Sequence, residues 1–253
     1  MMLFPMCLVC AAFFPSNQLR AKTEPAMAKL TSDLGAMGCG VATKPSRVIS
    51  GLRYTPGDSD KRCIKMLSMV KLELSELSPA YRHRLGIKRV VLVKGLFQNG
   101  VRLGATPDTE SESLIVDCGL ANTFHVVRAH YVDNALFSYF LRRFKGGEAW
   151  KNAAWESAAR FNYAQPYVPG RLDGALNHPS PGFVDSLAKS SETRDMAEIY
   201  CMLFDWGWQE VLKNYMSEDR TLKKKYEVLL AILRPYGFQV PKVKKRADAE
   251  TDP

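Results

Sequence analysis

The sequence predicts one α+β domain in which a small sheet comes first along the chain and a helical half follows. Two β-branched runs, 87–96 and 113–118, are typical of strands, and later segments carry apolar residues at helical spacing. The chain has 253 residues, 46% of them apolar and 24% charged, which argues against long disorder, collagen and coiled coil. After the first few positions no stretch of ~20 apolar residues occurs, so a transmembrane span is not expected.

The first half of the chain is predicted to contain an irregular lead-in, two helices and the strands. Residues 15–58 are rich in Ser, Thr, Pro and Gly, and we expect them to be irregular. Apolar residues at roughly helical spacing predict a helix over 61–77. Ser78 can then cap a short helix before the strand at 87–96.

Helices dominate the prediction for the second half. Residues with N-cap side chains precede most of them, and Gly- or Pro-containing segments separate them. The predicted helices are 123–143 with Asn122 as its cap, one around 148–159, one over about 192–216 capped by Ser190 or Ser191, and a last one that Ser217 caps and that ends before Pro235.

The amino-terminal segment suggests a leader. Residues 1–14 contain only apolar residues and Pro5, like the core of a secretory signal, but no basic residue leads them. A cleaved signal, a real start at Met27 and an organelle-targeting leader are the three readings. We favour a secreted or periplasmic location, with an organelle or the cytoplasm as alternatives. The predicted organisation is a leader over 1–26, an irregular lead-in over 27–58, the main domain over 59–236 and a polar tail over 237–253.

The chain is basic, with a formal net charge of +9. Part of this excess lies in the terminal segment 242–246, where nearby acidic residues offset it, and a solvated tail is the favoured interpretation. An anionic partner, such as a nucleoprotein complex, stays open as the alternative.

Cysteine and histidine spacing argues against familiar metal sites. No Cys-x-x-Cys follows residue 10, so a zinc ribbon is excluded, and the cysteines after that point are expected to be small buried residues. His125 and His130 are five residues apart on the predicted helix, which separates them by ~140° around its axis. They therefore cannot easily share an ion. Nucleophile-elbow, P-loop and dinucleotide-binding motifs do not occur.

The segment 123–137, TFHVVRAHYVDNALF, resembles the active helix of zinc metallopeptidases, whose usual pattern is His-Glu-x-x-His followed by an aromatic or aliphatic pair and Asp. His130 and the Tyr-Val-Asp that follows it match the end of this pattern. Val126 stands where the first histidine belongs, and Val127 stands where the catalytic glutamate belongs.

Two downstream segments, 149–170 and 181–204, are similar to the zinc-binding metallopeptidases related to the anthrax lethal factor protease domain. This resemblance covers about 60–235 and implies a zincin-like metallopeptidase fold of the gluzincin type. The residues that match are Trp155, Phe161, Tyr163, Gly182, Phe183, Val184, Ala197 and Glu198. Two functional positions depart: the family's tyrosine falls at Leu187, and its ligand glutamate falls at Arg194.

These departures predict a pseudo-peptidase. A gluzincin needs two imidazoles and a carboxylate on zinc, with a glutamate as general base, and of these four roles the resemblance leaves only His130. We therefore expect no catalytic residue, no metal ligand and no cofactor, and a binding or scaffold function toward a protein or peptide. The alternative is an active zinc peptidase with a rearranged site, built from His130, Asp133 and Glu198, with His178 as a further candidate.

The same departures suggest a substitute for the metal. Arg194 and Glu198 are four residues apart on one helix and can form an ion pair. Arg194 can instead meet Asp133 or Glu192. A bidentate bond between arginine and a carboxylate would hold together the two helices that zinc bridges in the family.

Overall fold

The computed structural model describes residues 16–121, 125–147, 150–159, 182–185 and 188–242. Within these ranges, the side chains of residues 16–23, 125–128, 190 and 206 are not described.

The described residues form a mixed α+β structure with one sheet and eight α-helices. The helices are α1 (Ser16–Ala36), α2 (Lys61–Glu76), α3 (Pro79–Leu85), α4 (His125–Phe144), α5 (Ala153–Ala159), α6 (Glu192–Cys201), α7 (Trp206–Glu218) and α8 (Arg220–Leu233). The strands are β1 (Gly40–Ala42), β2 (Leu52–Pro56), β3 (Arg89–Gln98), β4 (Val101–Arg102), β5 (Ala105–Asp108) and β6 (Ser113–Asp117). None of the described helices combines the length and apolar character that a bilayer crossing needs.

Strand β3 organises the sheet because it is long enough to serve two sets of neighbours. Its first half pairs in parallel with β1 on one side and β6 on the other. Its second half pairs antiparallel with β2 and β4. Strand β5 lies antiparallel beyond β6, at the edge of the sheet beside α4.

The alternation of side chains along β3 divides the apolar interior in two. Val90 and Leu92 face the large core that the helices cover. Val91 and Val93 face a smaller cluster on the opposite side of the sheet. The sheet is therefore buried on both faces around its centre, which agrees with the continuous β-branched run in the sequence.

Several sequence predictions are confirmed. Helix α2 and strands β3 and β6 lie where the apolar patterns place them. Ser78 caps α3, with its hydroxyl accepting a hydrogen bond from the backbone N–H of Tyr81. Helix α4 occupies the predicted segment; the predicted cap, Asn122, lies outside the described residues.

The predicted irregularity of residues 15–58 is wrong. Helix α1 spans Ser16–Ala36, with Pro25 inside it, and two short strands follow. Leu34 is fully buried, and Met27 and Leu30 pack against the core. Their spacing of three and four residues is a helical apolar stripe, which the Ser, Thr and Pro content obscured.

The long helix predicted over 192–216 is two helices. Helix α6 ends at Cys201, and the side chain of Asp205 caps α7 by accepting the backbone N–H of Trp208. The turn between them lets Phe204 pack on Tyr200, with ring centroids 4.8 Å apart. The predicted cap of the last helix is also wrong, since Asp219 rather than Ser217 caps α8.

Candidate functional site

Helices α4 and α6 pack together and bring an imidazole onto a buried carboxylate. His130 Nε2 of α4 lies 3.3 Å from Glu198 Oε2 of α6. The Glu198 side chain is 3% exposed, whereas that of His130 is 31% exposed. The two residues are 68 positions apart along the chain, so their contact depends on how the two helices pack.

Arg194 contacts the second oxygen of the same carboxylate. Its Nε lies 2.9 Å from Glu198 Oε1, and its Nη1 donates a hydrogen bond to Asn134 Oδ1 at 3.3 Å. His130 and Asn134 are one turn apart on α4, as Arg194 and Glu198 are on α6. Each helix therefore presents an i, i+4 pair to the other.

The structure decides between the partners that the sequence allowed for Arg194. The ion pair with Glu198 is present, and it lies within α6. The predicted bond between Arg194 and a carboxylate of a second helix is therefore wrong, because the contact of Arg194 with α4 is to the amide oxygen of Asn134. Glu192, an alternative partner, instead accepts the backbone N–H of Asn152 and lies 3.3 Å from Lys151 Nζ. Asp133 is buried on α4 and has interactions of its own.

The charges of this group stabilise one another. Burial lowers the pKa of His130, but the hydrogen bond and negative charge of Glu198 outweigh it, so the pKa of His130 is raised overall. Burial raises the pKa of Glu198, but His130 and Arg194 outweigh it, so the pKa of Glu198 is lowered. Both shifts favour a protonated imidazole beside an ionised carboxylate.

A second buried carboxyl group lies near this pair. Asp185 precedes a short 3₁₀ turn at Ala188–Ser190, and its Oδ1 accepts the backbone N–H of Ala188 at 2.8 Å. Burial, with the charge of Glu198, raises the pKa of Asp185 to about 6. It therefore carries a proton for part of the time near neutral pH.

A fully buried lysine holds the segment that carries Asp185. Lys225 Nζ of α8 donates to the carbonyl oxygen of Gly182 at 2.6 Å and lies 2.7 Å from Asp195 Oδ2. It also lies 3.9 Å from the centre of the Phe183 ring. The backbone N–H of Gly182 donates to Asp219, the cap of α8.

Sequence reasoning missed Lys225, although a signal was available. Lys225 lies three residues after Leu222 and four before Leu229, on the apolar stripe of α8. A lone lysine on such a stripe indicates one of two arrangements. Either its aliphatic part packs along the surface while its ammonium group reaches water, or the ammonium group is buried beside an acidic partner. The structure has the second arrangement, with both Lys225 and Asp195 at 0% exposure.

The remaining predicted site positions divide into three groups. Among the matches to the metallopeptidase pattern, Trp155, Phe183, Val184 and Ala197 are buried core residues. Val126 and Val127 are in the first turn of α4, and their side chains are not among those described. The positions that lie outside the described residues are Phe161, Tyr163, His178 and Leu187.

Zinc does not fit the donor set around His130. The available groups are one imidazole and one carboxylate, and a guanidinium occupies the approach to that carboxylate. Among the described residues, no third histidine, cysteine or acidic ligand atom joins those of His130 and Glu198 within 4.8 Å. The hydrocarbon side chains of valines at positions 126 and 127 offer no ligand atom for zinc. We therefore derive no chemistry from zinc at this place.

Comparisons with known proteins leave the family open. No family model matches the chain, and no curated protein matches it. A solved structure resembles it. That structure, from Bacteroides caccae, is described as a "putative zinc-binding metallo-peptidase"; it is 16% identical, the match covers 90% of each chain, and the TM-score is 0.49. Similarity of this extent assigns neither a family nor an activity to this chain.

Proposed function

We propose that this chain is a zincin-like pseudo-peptidase that binds a peptide or protein without cleaving it. The observation that carries the proposal is the double pairing of Glu198, whose two oxygens face His130 and Arg194. In a gluzincin a dication holds the equivalent helices through neutral imidazoles and a carboxylate. Here His130 links the two helices through Glu198, and Arg194, which lies on the same helix as Glu198, links them through Asn134.

The pairing also opposes metal binding in energetic terms. A zinc ion at His130 would have to displace Arg194 from Glu198 and would need the imidazole in its neutral form. The raised pKa of His130 favours the protonated form instead. Displacement would leave the Arg194 guanidinium without its carboxylate beside a dication, which is a repulsive arrangement.

The two cations could also serve recognition. The side chains of His130 and Arg194 are 31% and 35% exposed, so their outer faces reach solvent above the buried Glu198. Both are hydrogen-bond donors, and they suit carbonyl or carboxylate groups of a peptide.

Peptide binding by strand addition is less favourable at the nearby sheet edge. In β5, Pro107 has no backbone N–H, and its carbonyl oxygen already accepts a hydrogen bond from Arg142 Nη1 at 3.2 Å. A peptide strand along β5 would therefore lack part of its hydrogen-bond ladder. We place recognition at the exposed donors of His130 and Arg194 rather than along this strand.

A peptide-library experiment tests the proposal. The full chain, with and without added zinc, is incubated with a mixed peptide library, and both cleavage and retention of peptides are measured by mass spectrometry. We expect retention that R194M weakens, and no cleavage under either condition. K213M, which removes an exposed lysine from its pair with Glu210, is the matched control and should leave retention unchanged.

The alternative is an active zinc peptidase with a rearranged site. The observation in its favour is Asp185, a buried carboxyl close enough to Glu198 and His130 for their charges to affect its pKa. Cleavage that a chelator abolishes, and that H130A and D185N also abolish, would establish this alternative and contradict the pseudo-peptidase.

A further inference from the structure

The outer face of helix α8 is rich in exposed basic side chains. Because an α-helix turns by about 100° per residue, the exposed positions of the segment 220–234 fall within an arc of about 100° around the helix axis. These positions, which we call the α8 arc, are Arg220, Lys223, Lys224, Glu227, Ala231 and Arg234. The arc therefore carries four cations and one carboxylate.

The four cations of the α8 arc are not neutralised by neighbouring acidic groups. Helices α7 and α8 take part in two ion pairs among the described residues, Lys213 with Glu210 and Lys225 with Asp195. None of the basic residues of the arc forms an ion pair with a described residue. Part of the net charge of +9 is therefore concentrated on this one helix face.

Helix stability does not explain the basic residues at the start of α8. The positive end of the helix dipole lies there, and it favours acidic side chains in the first turn. The first turn of α8 has no acidic side chain. Arg220 is its first residue, and Lys223 and Lys224 follow one turn later. These three cations oppose the dipole, so we attribute them to a contact outside the chain.

Further basic residues lie close to the other end of α8. Arg84 of α3 is exposed, and its Nη1 donates a hydrogen bond to the carbonyl oxygen of Pro235 at 2.8 Å. Gln209 Nε2 of α7 donates to the carbonyl oxygen of Pro241 at 2.9 Å, which holds the end of the described chain beside α7. The sequence continues with the basic run 244–246, which lies outside the described residues.

We propose that the α8 arc, extended by Arg84, binds the phosphate backbone of a nucleic acid without reading its sequence. Arg220 and Arg234 are about 21 Å apart along the helix axis. A nucleic-acid duplex carries one negative charge per about 1.7 Å, so the cations of the arc meet phosphates in any register. Lysine and arginine both suit phosphate oxygens. This inference goes beyond the function proposed for the His130 group and does not depend on it.

Other anionic partners suit the α8 arc less well. The apolar side of α8, with Leu229 and Leu233, is fully buried in the core, so the helix cannot insert that side into a membrane. The large hydrophobic residues that are exposed in the described structure, Val48 and Val101, lie in the sheet half of the chain. An acidic protein would need apolar or aromatic contacts at the centre of its interface, and Ala231 is the apolar residue of the arc.

A salt series of binding measurements tests the proposal. The full chain is titrated into fluorescein-labelled duplexes of about 20 base pairs, one of DNA and one of RNA, and fluorescence anisotropy is recorded. We expect a slope of log K against log[salt] of about −3 to −4, because each neutralised phosphate contributes about −0.9. Two unrelated sequences should bind equally. DNA and RNA supply the same phosphate chemistry, and their relative affinity identifies the source.

Two double variants locate the contact. K223Q/K224Q should weaken binding at least about tenfold and reduce the size of the salt slope by about 2. K61Q/R62Q is the matched control, because it removes two exposed cations from the start of another helix, and it should leave both quantities unchanged. Urea unfolding should show K223Q/K224Q at least as stable as the parent, since glutamine favours helix and the opposition to the dipole is relieved.

The same measurements can overturn the proposal. Absence of duplex binding, or an equal loss in K223Q/K224Q and K61Q/R62Q, would mean that the α8 arc is not a binding face. Binding that K244Q/K245Q/R246Q abolishes and K223Q/K224Q leaves unchanged would assign it to the terminal segment instead. Binding to phosphatidylserine–phosphatidylcholine vesicles, with none to either duplex, would indicate a membrane partner and also contradict the proposal.

Discussion

Glu198 is paired with a cationic side chain from each of two helices. Arg194, on the same helix, has its Nε 2.9 Å from one carboxylate oxygen, and His130, across the interface, has its Nε2 3.3 Å from the other. Because the carboxylate is buried, it depends on both neighbours to stay ionised. The contact between α4 and α6 is therefore stabilised by charged and polar side chains as well as by apolar packing.

Removal of the Arg194 charge should weaken the contact between α4 and α6. We expect R194M to lower the free energy of unfolding by about 1–2 kcal/mol, which lies between the values typical of exposed and buried ion pairs. Urea unfolding at neutral pH measures it. K213M at the exposed Lys213–Glu210 pair is the control and should change stability by less than about 0.5 kcal/mol. An R194M chain as stable as the parent would show that the ion pair does not contribute to the free energy of unfolding.

The pairing of His130 with Glu198 predicts a loss of stability at high pH. The folded-state pKa of His130 is raised above its ordinary value of 6.5, so its contribution is complete below that pH and disappears as pH rises through the raised value. Urea unfolding from about pH 5.5 to about pH 9 should show this decline. In H130Q the histidine-dependent part of the decline should be absent, and an unchanged profile would contradict the assignment.

Asp185 should behave in the opposite way on substitution, because its burial disfavours the charged form. Its pKa is raised from 3.8 to about 6, so the ionised group destabilises the fold above that range and not below it. D185N keeps an oxygen that can accept the N–H of Ala188. We expect it to stabilise the chain by up to about 3 kcal/mol at neutral pH, with the gain lost below the ordinary pKa. A gain that is equal at all pH values would contradict this origin.

Lys225 should be among the most sensitive charged residues of the described structure. K225M leaves the buried Asp195 carboxylate without its ammonium partner, and we expect a loss of about 3–5 kcal/mol. K224M, at the exposed neighbouring position, should cost less than about 0.5 kcal/mol. The double variant K225M/D195L should recover much of the loss, and failure to recover would indicate that the contact of Lys225 with Gly182 matters more.

The sequence predicts the elements whose apolar pattern is regular and misses those whose pattern is interrupted. Helix α2 and strand β3 follow directly from the spacing of their apolar residues. Helix α1 was missed because Pro25 and several small polar residues mask a stripe that packs on the core. The break between α6 and α7 depends on Asp205, which caps α7 instead of continuing one long helix. This break is favoured because it lets Phe204 pack on Tyr200 in the core, and the local sequence does not show that contact.

The candidate site is predictable only within one helix. The pairing of Arg194 with Glu198 follows from their four-residue spacing on α6. The contact of His130 with the same carboxylate depends on the packing of α4 against α6, and no local sequence pattern predicts that packing. The same holds for Lys225, whose partners Asp195 and Gly182 lie on two other parts of the chain.

The zinc content of the purified chain distinguishes the ion pairs at Glu198 from a metal site. A full chain carrying C7S and C10S, which removes a competing Cys-x-x-Cys pair, is purified with zinc present, desalted and analysed for metal, beside the same chain with H130A added. We expect almost no zinc in either protein, because Arg194 and His130 already pair with Glu198. One zinc per chain in the first protein, lost in the second, would mean that His130 binds a metal and would contradict the ion-pair substitution.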